Sequence, residues 1–343
     1  MKKIILGFLV LSLVAISGWA QQDPVLRNDY PSEYTVVKGD TLWDISNRFL
    51  QTPWMWPEIW HVNPQIANPH LIYPGDVITL IYLDGRPRIT VQRGAPSGTV
   101  KLSPNMRVTP LSEAIPTIPL DAINTYLSNS RIVDSGELEA APHVVASGEN
   151  RLIAGKGDTV YVRGSFDPDI PVYGVYRKGE VFVDPDTGER LGVQATDIAA
   201  VKIRDVENQI ATTETTRANQ EIRVGDRLLI EEVRKIDTNF FPSPPNDDIE
   251  GTILAVEGGV NNVGNMDVVV INRGEREGVK VGNVFAIYHS GQVIRDRVLN
   301  DNVVLPEERA GLLMVFRTFE KLSYALVLEA DMPIARMNTI KRP

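Results

Sequence analysis

The sequence predicts a multidomain protein in which a small βααβ module is followed by a mainly-β region that ends in a small β-barrel-like C-terminal domain. Three observations predict it. Residues 33–82 place two β-like ends, Tyr34–Val37 and Val77–Tyr82, around two helix-patterned stretches. From Thr159 onward, short β-branched and aromatic runs alternate with glycine and proline turns, the punctuation of all-β domains. The 343 residues include no cysteine, so stability must come from packed cores, and an apolar fraction of 43% is enough to build them.

Composition also restricts chemistry. Without cysteine there is no disulfide scaffold, no thiolate nucleophile and no cysteine-ligated metal site. A balance of 44 acids against 35 bases, net -9, argues against non-specific nucleic-acid binding. At the start of the chain, Lys2 and Lys3 precede an apolar run from Ile4 to Ile16 that ends in Ser17-Gly18-Trp19-Ala20. This is the pattern of a secretory signal peptide, residues 1–20, expected to be cleaved after Ala20. Its loss makes the exported chain more acidic still, and leaves no other stretch apolar and long enough for a membrane span.

The elements of the module follow in order. Residues 21–32 form a polar lead. Tyr34-Thr35-Val36-Val37 reads as a strand and Lys38-Gly39-Asp40-Thr41 as a turn that opens a helix, with Thr41 and Asp44 spaced for a capping box. Leu42, Ile45 and Phe49 recur at helical spacing. Residues 51–56 break that helix, and Pro57 suits the start of a second one, which Asn63-Pro64 ends. After a loop, Val77–Tyr82 returns to strand.

Residues 83–118 are expected as linker and edge strands, since prolines punctuate short alternating pieces such as Arg88–Val91. Residues 119–238 form a β-rich middle domain, with short helices at 120–127 and 137–141 and strands at 159–163, 172–177, 181–183, 199–203 and 227–232. Residues 239–248 are a proline-rich linker. Residues 249–343 form the C-terminal β domain, whose strands at 252–256, 267–271, 284–288, 312–319 and 324–329 fit a closed or nearly closed barrel. Lys38-Gly39-Asp40-Thr41 recurs as Lys156-Gly157-Asp158-Thr159, with looser echoes at Pro74-Gly75-Asp76 and Val224-Gly225-Asp226. The second copy runs into a β alternation, so the echo reads as a turn device and not as a repeated domain.

Apart from Trp19, the tryptophans are Trp43, Trp54, Trp56 and Trp60, all inside the small module. Such rings either supply core area to a domain short of it or stack on sugar faces. Trp43 and Trp60 fit the core; Trp54 and Trp56, in the loop, fit either role.

These residues carry a resemblance. Tyr34-Thr35-Val36-Val37-Lys38-Gly39-Asp40-Thr41-Leu42-Trp43-Asp44-Ile45-Ser46, then Asn63-Pro64 and Asn68-Pro69-His70-Leu71-Ile72-Tyr73-Pro74-Gly75-Asp76, resemble the LysM module over residues 33–82. The resemblance implies binding of the N-acetylglucosamine-containing glycan of peptidoglycan or chitin in a shallow groove. Gly39, Asp40, Thr41 and Leu42 would form one wall, and Asn68, Leu71, Ile72 and Pro74 the other. Such a neutral acetamido sugar needs main-chain donors and acceptors and apolar contact, without a charged clamp. The loop at 51–56 is longer and more aromatic than in the simplest modules.

Segments 189–192, 264–274, 278–283 and 310–316 resemble a β-rich region like the C-terminal domain of a flagellar outer-membrane ring protein. The chain is therefore similar to the LysM-domain type IV pilus secretin-associated proteins. That likeness implies a periplasmic protein associated with peptidoglycan and with an outer-membrane secretin.

The chain carries no catalytic motif of the common hydrolase types. His61, His70, His143 and His289 form no His-Glu-x-x-His, and no Gly-x-Ser-x-Gly elbow occurs. Gly148–Lys156 lacks the spacing of a phosphate loop, and Gly157 stands where Ser or Thr is required. Acid pairs such as Asp167/Asp169 and Asp184/Asp186 sit in proline- and glycine-marked turns. The expectation is a non-enzymatic adaptor with no catalytic residue, cofactor or metal. A peptidoglycan-remodelling enzyme or its activator, and a general wall-binding protein, are the alternatives.

Overall fold

The computed structural model describes residues 24–60, 72–92, 115–119, 123, 126, 130–148, 151, 153–231, 240–245, 248–256, 262–289, 291 and 293–343. The signal segment, Asn63-Pro64, Asn68, Leu71 and most of the short helix expected at 120–127 lie outside them.

In the N-terminal module, β1 (Glu33–Thr35) leads to α1 (Leu42–Phe49), a single 3-10 turn (Pro53–Met55), α2 (Trp56–Ile59), β2 (Val77–Leu83) and β3 (Arg86–Gln92). The expected capping box forms: Thr41 Oγ1 accepts the Asp44 amide at 3.1 Å, and Asp44 accepts the Thr41 amide at 3.2 Å. α1 buries Leu42, Ile45 and Phe49 against Trp56, Ile59, Ile72, Ile78 and Ile89. β2 lies between β1 and β3, both antiparallel to it, with Thr35 opposite Val77 and Leu83 opposite Arg86. β3 thus builds part of the proline-punctuated stretch into the module, with Ile89 and Val91 turned into its core. The polar lead joins it too: Leu26 bridges to Leu50, and the Arg27 amide donates to the Phe49 carbonyl at 2.9 Å.

The middle domain holds β4 (Ser130–Val133), α3 (Ser135–Ala140), β5 (His143–Ser147), β6 (Thr159–Arg163), β7 (Val172–Val183), β8 (Arg190–Glu207), β9 (Ile210–Ala218) and β10 (Arg227–Ile230). Its strand order is β4-β8-β7-β10-β5-β6-β9, and β9 pairs back onto β8, so the sheet closes into a ring with β4 outside it. The two strands expected at 172–177 and 181–183 are one, with its register shifted between Lys178 and Val181. β9 escapes an apolar reading because its inward residues are threonines. Thr213 and Thr215 are buried, and Thr213 Oγ1 donates to the Val160 carbonyl at 2.8 Å.

The C-terminal domain contains β11 (Gly251–Val256), β12 (Asn262–Val263), β13 (Val268–Ile271), β14 (Val284–His289), β15 (Val293–Arg295), β16 (Asn302–Val304), β17 (Glu308–Thr318), β18 (Ser323–Ala330), β19 (Ile334–Ala335) and β20 (Thr339–Lys341). A closed barrel runs β11-β13-β18-β17-β14-β20. Short β20 closes it by pairing Ile340 with both Gly251 and Ile287. With one apolar residue in three, β20 carries little strand signal of its own.

The barrel strands are buried on both faces. Val269, Ile271, Phe285, Ile287, Leu313, Val315, Ala325 and Val327 share one core. Their alternating neighbours Val268, Val270, Val284, Ala286, Leu312, Met314, Tyr324 and Leu326 belong to a second cluster, which also takes in Phe182, Leu191, Phe240, Ile118, Trp43, Trp54 and Met55. This two-sided burial explains the near-continuous apolar runs in these strands. Further polar contacts join the middle domain to the barrel. Asn272, fully buried, donates from Nδ2 to Asp184 at 2.9 Å, and Glu189 meets Arg276 and Lys321, each at 2.9 Å.

Candidate functional site

The site begins with two glycine–aspartate turns side by side. In the first, Gly39 takes φ +101°, and in the second Gly75 takes φ +96°, both in the left-handed region where a side chain is strained. The aspartate after each glycine returns its carboxylate to an amide three residues back, Asp40 to Val37 at 2.9 Å and Asp76 to Tyr73 at 3.0 Å. Main-chain bonds tie the turns together: the Val36 amide donates to Asp76 and the Gly75 amide to Val36, both at 2.8 Å. The wall expected from residues 39–42 and the end of the wall expected from residues 68–74 are therefore adjacent.

Six of the eight candidate residues have a definite place. Gly39 and Pro74 are exposed at the turn tips. Asp40 is largely buried and occupied, since the Tyr34 hydroxyl also donates to it at 2.9 Å. Burial and that bond to Asp40 hold the Tyr34 hydroxyl above its ordinary pKa. Thr41 caps α1, and the side chains of Leu42 and Ile72 are core residues of the module. With their side chains in the core, these two could offer a ligand only main chain, which is the kind of group an acetamido sugar recognises. Asn68 and Leu71 lie outside the described residues.

The module's main chain has a partner that sequence reasoning missed. The Leu42 amide donates to the Pro116 carbonyl at 3.0 Å, the Trp43 amide donates to Thr117 at 3.1 Å, and the Ile115 amide donates to the Ile72 carbonyl at 2.8 Å. The segment 115–117 therefore bridges from the start of α1 to Ile72. The prolines at 116 and 119 signal an extended segment, but nothing local in the sequence states where it docks.

The tryptophans are also settled by the geometry. Trp54 and Trp56, open between core and sugar, are both buried. Trp56 packs edge-on against Trp60 with centroids 5.8 Å apart, inside the module, while Trp43 and Trp54 belong to the cluster that reaches the barrel. On the opposite side of α1 from its core, Arg27, Asp29, Tyr34, Asp44, Asn47 and Arg48 line an open depression. The guanidinium of Arg48 covers the Tyr34 ring there at 4.6 Å.

The order of elements, the paired turns and the capped first helix agree with a match to a known family. Residues 34–80 are a LysM domain. The chain is also similar to the uncharacterized protein YqbP of Bacillus subtilis (strain 168), at 38% identity over 60 residues, covering 15% of this chain and 27% of that protein. The match thus spans about a quarter of that relative's length. The LysM domain accounts for the N-terminal module and is a binding domain; the two β domains lie outside residues 34–80. Among the described residues, no helix is long and apolar enough to cross a membrane.

Proposed function

We propose that this protein is a non-enzymatic periplasmic adaptor: its LysM domain binds the N-acetylglucosamine-containing glycan of peptidoglycan, and its β domains anchor or align an outer-membrane secretin of the type IV pilus machinery with the cell wall. The LysM match at residues 34–80 carries the glycan half. The main-chain amides at the start of α1 and the Ile72 carbonyl beside them, bonded here to residues 115–117, are of the kind an uncharged acetamido group recognises.

The partner half is supported by the resemblance of the β region and by the β15–β16 hairpin. That hairpin stands off the barrel with Val293, Val298, Leu299 and Val304 exposed, Val298 at 89%. A protruding apolar hairpin on an otherwise acidic protein suits docking on another protein.

Pull-down on purified sacculi tests the first half. The full chain should sediment with them, and a chain lacking residues 33–82 should not. Co-purification from detergent-solubilised outer membrane, followed by mass spectrometry, tests the second half. A secretin should follow the wild-type chain and be lost with the double substitution Val298→Asp and Leu299→Asp, while thermal unfolding of the chain is unchanged. A clearing zone on sacculi that a single Asp or Glu substitution abolishes would replace the adaptor with a wall-remodelling enzyme.

A further inference from the structure

The segment 115–118 covers main-chain groups that the cleft would otherwise offer to a ligand. The first amides of a helix have no partner inside it, and the capping box serves only the Asp44 and Thr41 amides. The Leu42 and Trp43 amides, the first two of α1, are taken by the carbonyls of Pro116 and Thr117, and the Ile72 carbonyl is taken by the Ile115 amide. One N–H and two C=O groups of this short segment, which bends at Thr117 and Ile118, are thus presented to the LysM domain. An N-acetylated sugar presents the same kinds of group, an amide N–H and a carbonyl, beside an apolar methyl.

The side chains continue the likeness. Ile115 is 6% exposed and packs with Leu42, Ile45 and Ile72, where a methyl or ring face would sit. Ile118 is fully buried in the cluster that includes Trp43, Trp54 and the barrel. Proline at 116 and 119 restricts Ile115 and Ile118 to extended geometry, so the segment loses little freedom when it docks.

We propose that residues 115–118 are an internal stand-in for the N-acetylated glycan, so that the LysM cleft is closed in the free protein and wall binding requires this strap to withdraw. The proposal rests on the reading of the cleft as the glycan site. A ligand that binds only the open form has its affinity reduced by the fraction of protein that is open. Loosening the strap therefore tightens binding without adding any contact to the sugar. Because Ile118 also packs in the cluster that reaches the barrel, withdrawal of the strap links the state of the cleft to the contact between LysM domain and barrel.

The test is calorimetric titration of the full chain with a soluble N-acetylglucosamine oligomer, using wild type, Ile115→Ala and Pro116→Gly. Ile115→Ala removes an apolar anchor. Pro116→Gly leaves every buried apolar side chain in place and only loosens the backbone, so it keeps the comparison valid if the first variant is poorly folded. Binding about tenfold tighter in Ile115→Ala and several-fold tighter in Pro116→Gly is expected. In wild type, saturating oligomer should speed hydrogen exchange at the Ile115 amide. Equal affinities in all three chains, or slowed exchange at Ile115, would overturn the strap and leave the glycan reading standing. No binding in any of the three would overturn the glycan reading, and the strap proposal with it.

Discussion

The same four residues, Lys-Gly-Asp-Thr, occur at 38–41 and at 156–159, and they open different structures. Both copies begin alike. Gly39 and Gly157 take φ +101° and +88°, and Asp40 and Asp158 each accept the amide three residues back, at 2.9 and 2.8 Å. The chains then part. Thr41 caps a helix whose next two amides meet the strap, whereas Thr159 enters β6 opposite Glu214, and the turn itself pairs with Thr215 through the Gly157 amide at 2.8 Å. A tight turn is therefore a local property of these residues. The element that follows it is set by the next residues and by what they find to pair with: Leu42, Ile45 and Phe49 at helical spacing in one copy, Val160 and Val162 at strand spacing in the other.

The comparison can be pressed by removing the carboxylate from three of the glycine–aspartate turns and measuring unfolding in urea. Asp226→Ala should cost most, about 3 kcal/mol, because a half-buried ion pair and a charge-assisted bond to the Arg223 amide are lost together. Asp226 is 4% exposed and holds Arg177 through two bonds of 2.9 Å as well as the Arg223 amide. Asp40→Ala should cost about 2 kcal/mol, since both the Val37 amide and the Tyr34 hydroxyl lose a charged acceptor. Asp158→Ala should cost about 1 kcal/mol, its main local bond being to the Gly155 amide in a more exposed turn. A result in which all three cost the same would mean that only the turn, and nothing it touches, sets the stability.

Exchange of the threonine separates the copies more cleanly. Thr41→Val removes an N-cap and should cost about 1 kcal/mol, while Thr159→Val, in a strand that favours β-branched residues, should change stability by less than about 0.5 kcal/mol. Equal losses at the two sites would show that the second threonine also caps its turn.

The smallest effect is expected at the turn Asp184–Gly188, where Gly188 takes φ +72° but the next residue reaches into another domain. Hydrogen bonds from Arg276 and then Lys321 lower the Glu189 pKa from 4.5 to about 2. A lowered folded-state value means that the contribution is complete above the ordinary carboxylate range and is lost as pH falls from about 4.5 toward 2. Glu189→Gln should therefore unfold slightly more easily than wild type at pH 7, and the two melting curves should converge near pH 2. The carboxylate is on the surface, so the gap should also shrink with added salt.

Much of the module was legible in the sequence because its signals are local. The Thr41–Asp44 box, the spacing of Leu42, Ile45 and Phe49, and the strand at Val77 all depend on neighbours within a few residues. The C-terminal barrel was legible for a related reason: strands buried on both faces read as plain apolar runs, as at Val268–Ile271. Threonine-lined β9 and three-residue β20 were not legible, since their burial depends on strands distant in the chain. The candidate site was legible only as two walls.

The chain's own text thus sets its turns, its helix cap and the alternation of its strands, because backbone sterics and short-range hydrogen bonds act over a few residues. What fills the space between the walls was settled only by long-range packing. Two carbonyls at 116 and 117 find the free amides of a helix more than seventy positions earlier, and Trp43 and Trp54 join the apolar cluster that reaches the barrel. No periodicity encodes those contacts, because they depend on which unsatisfied groups and apolar faces meet once the domains are folded.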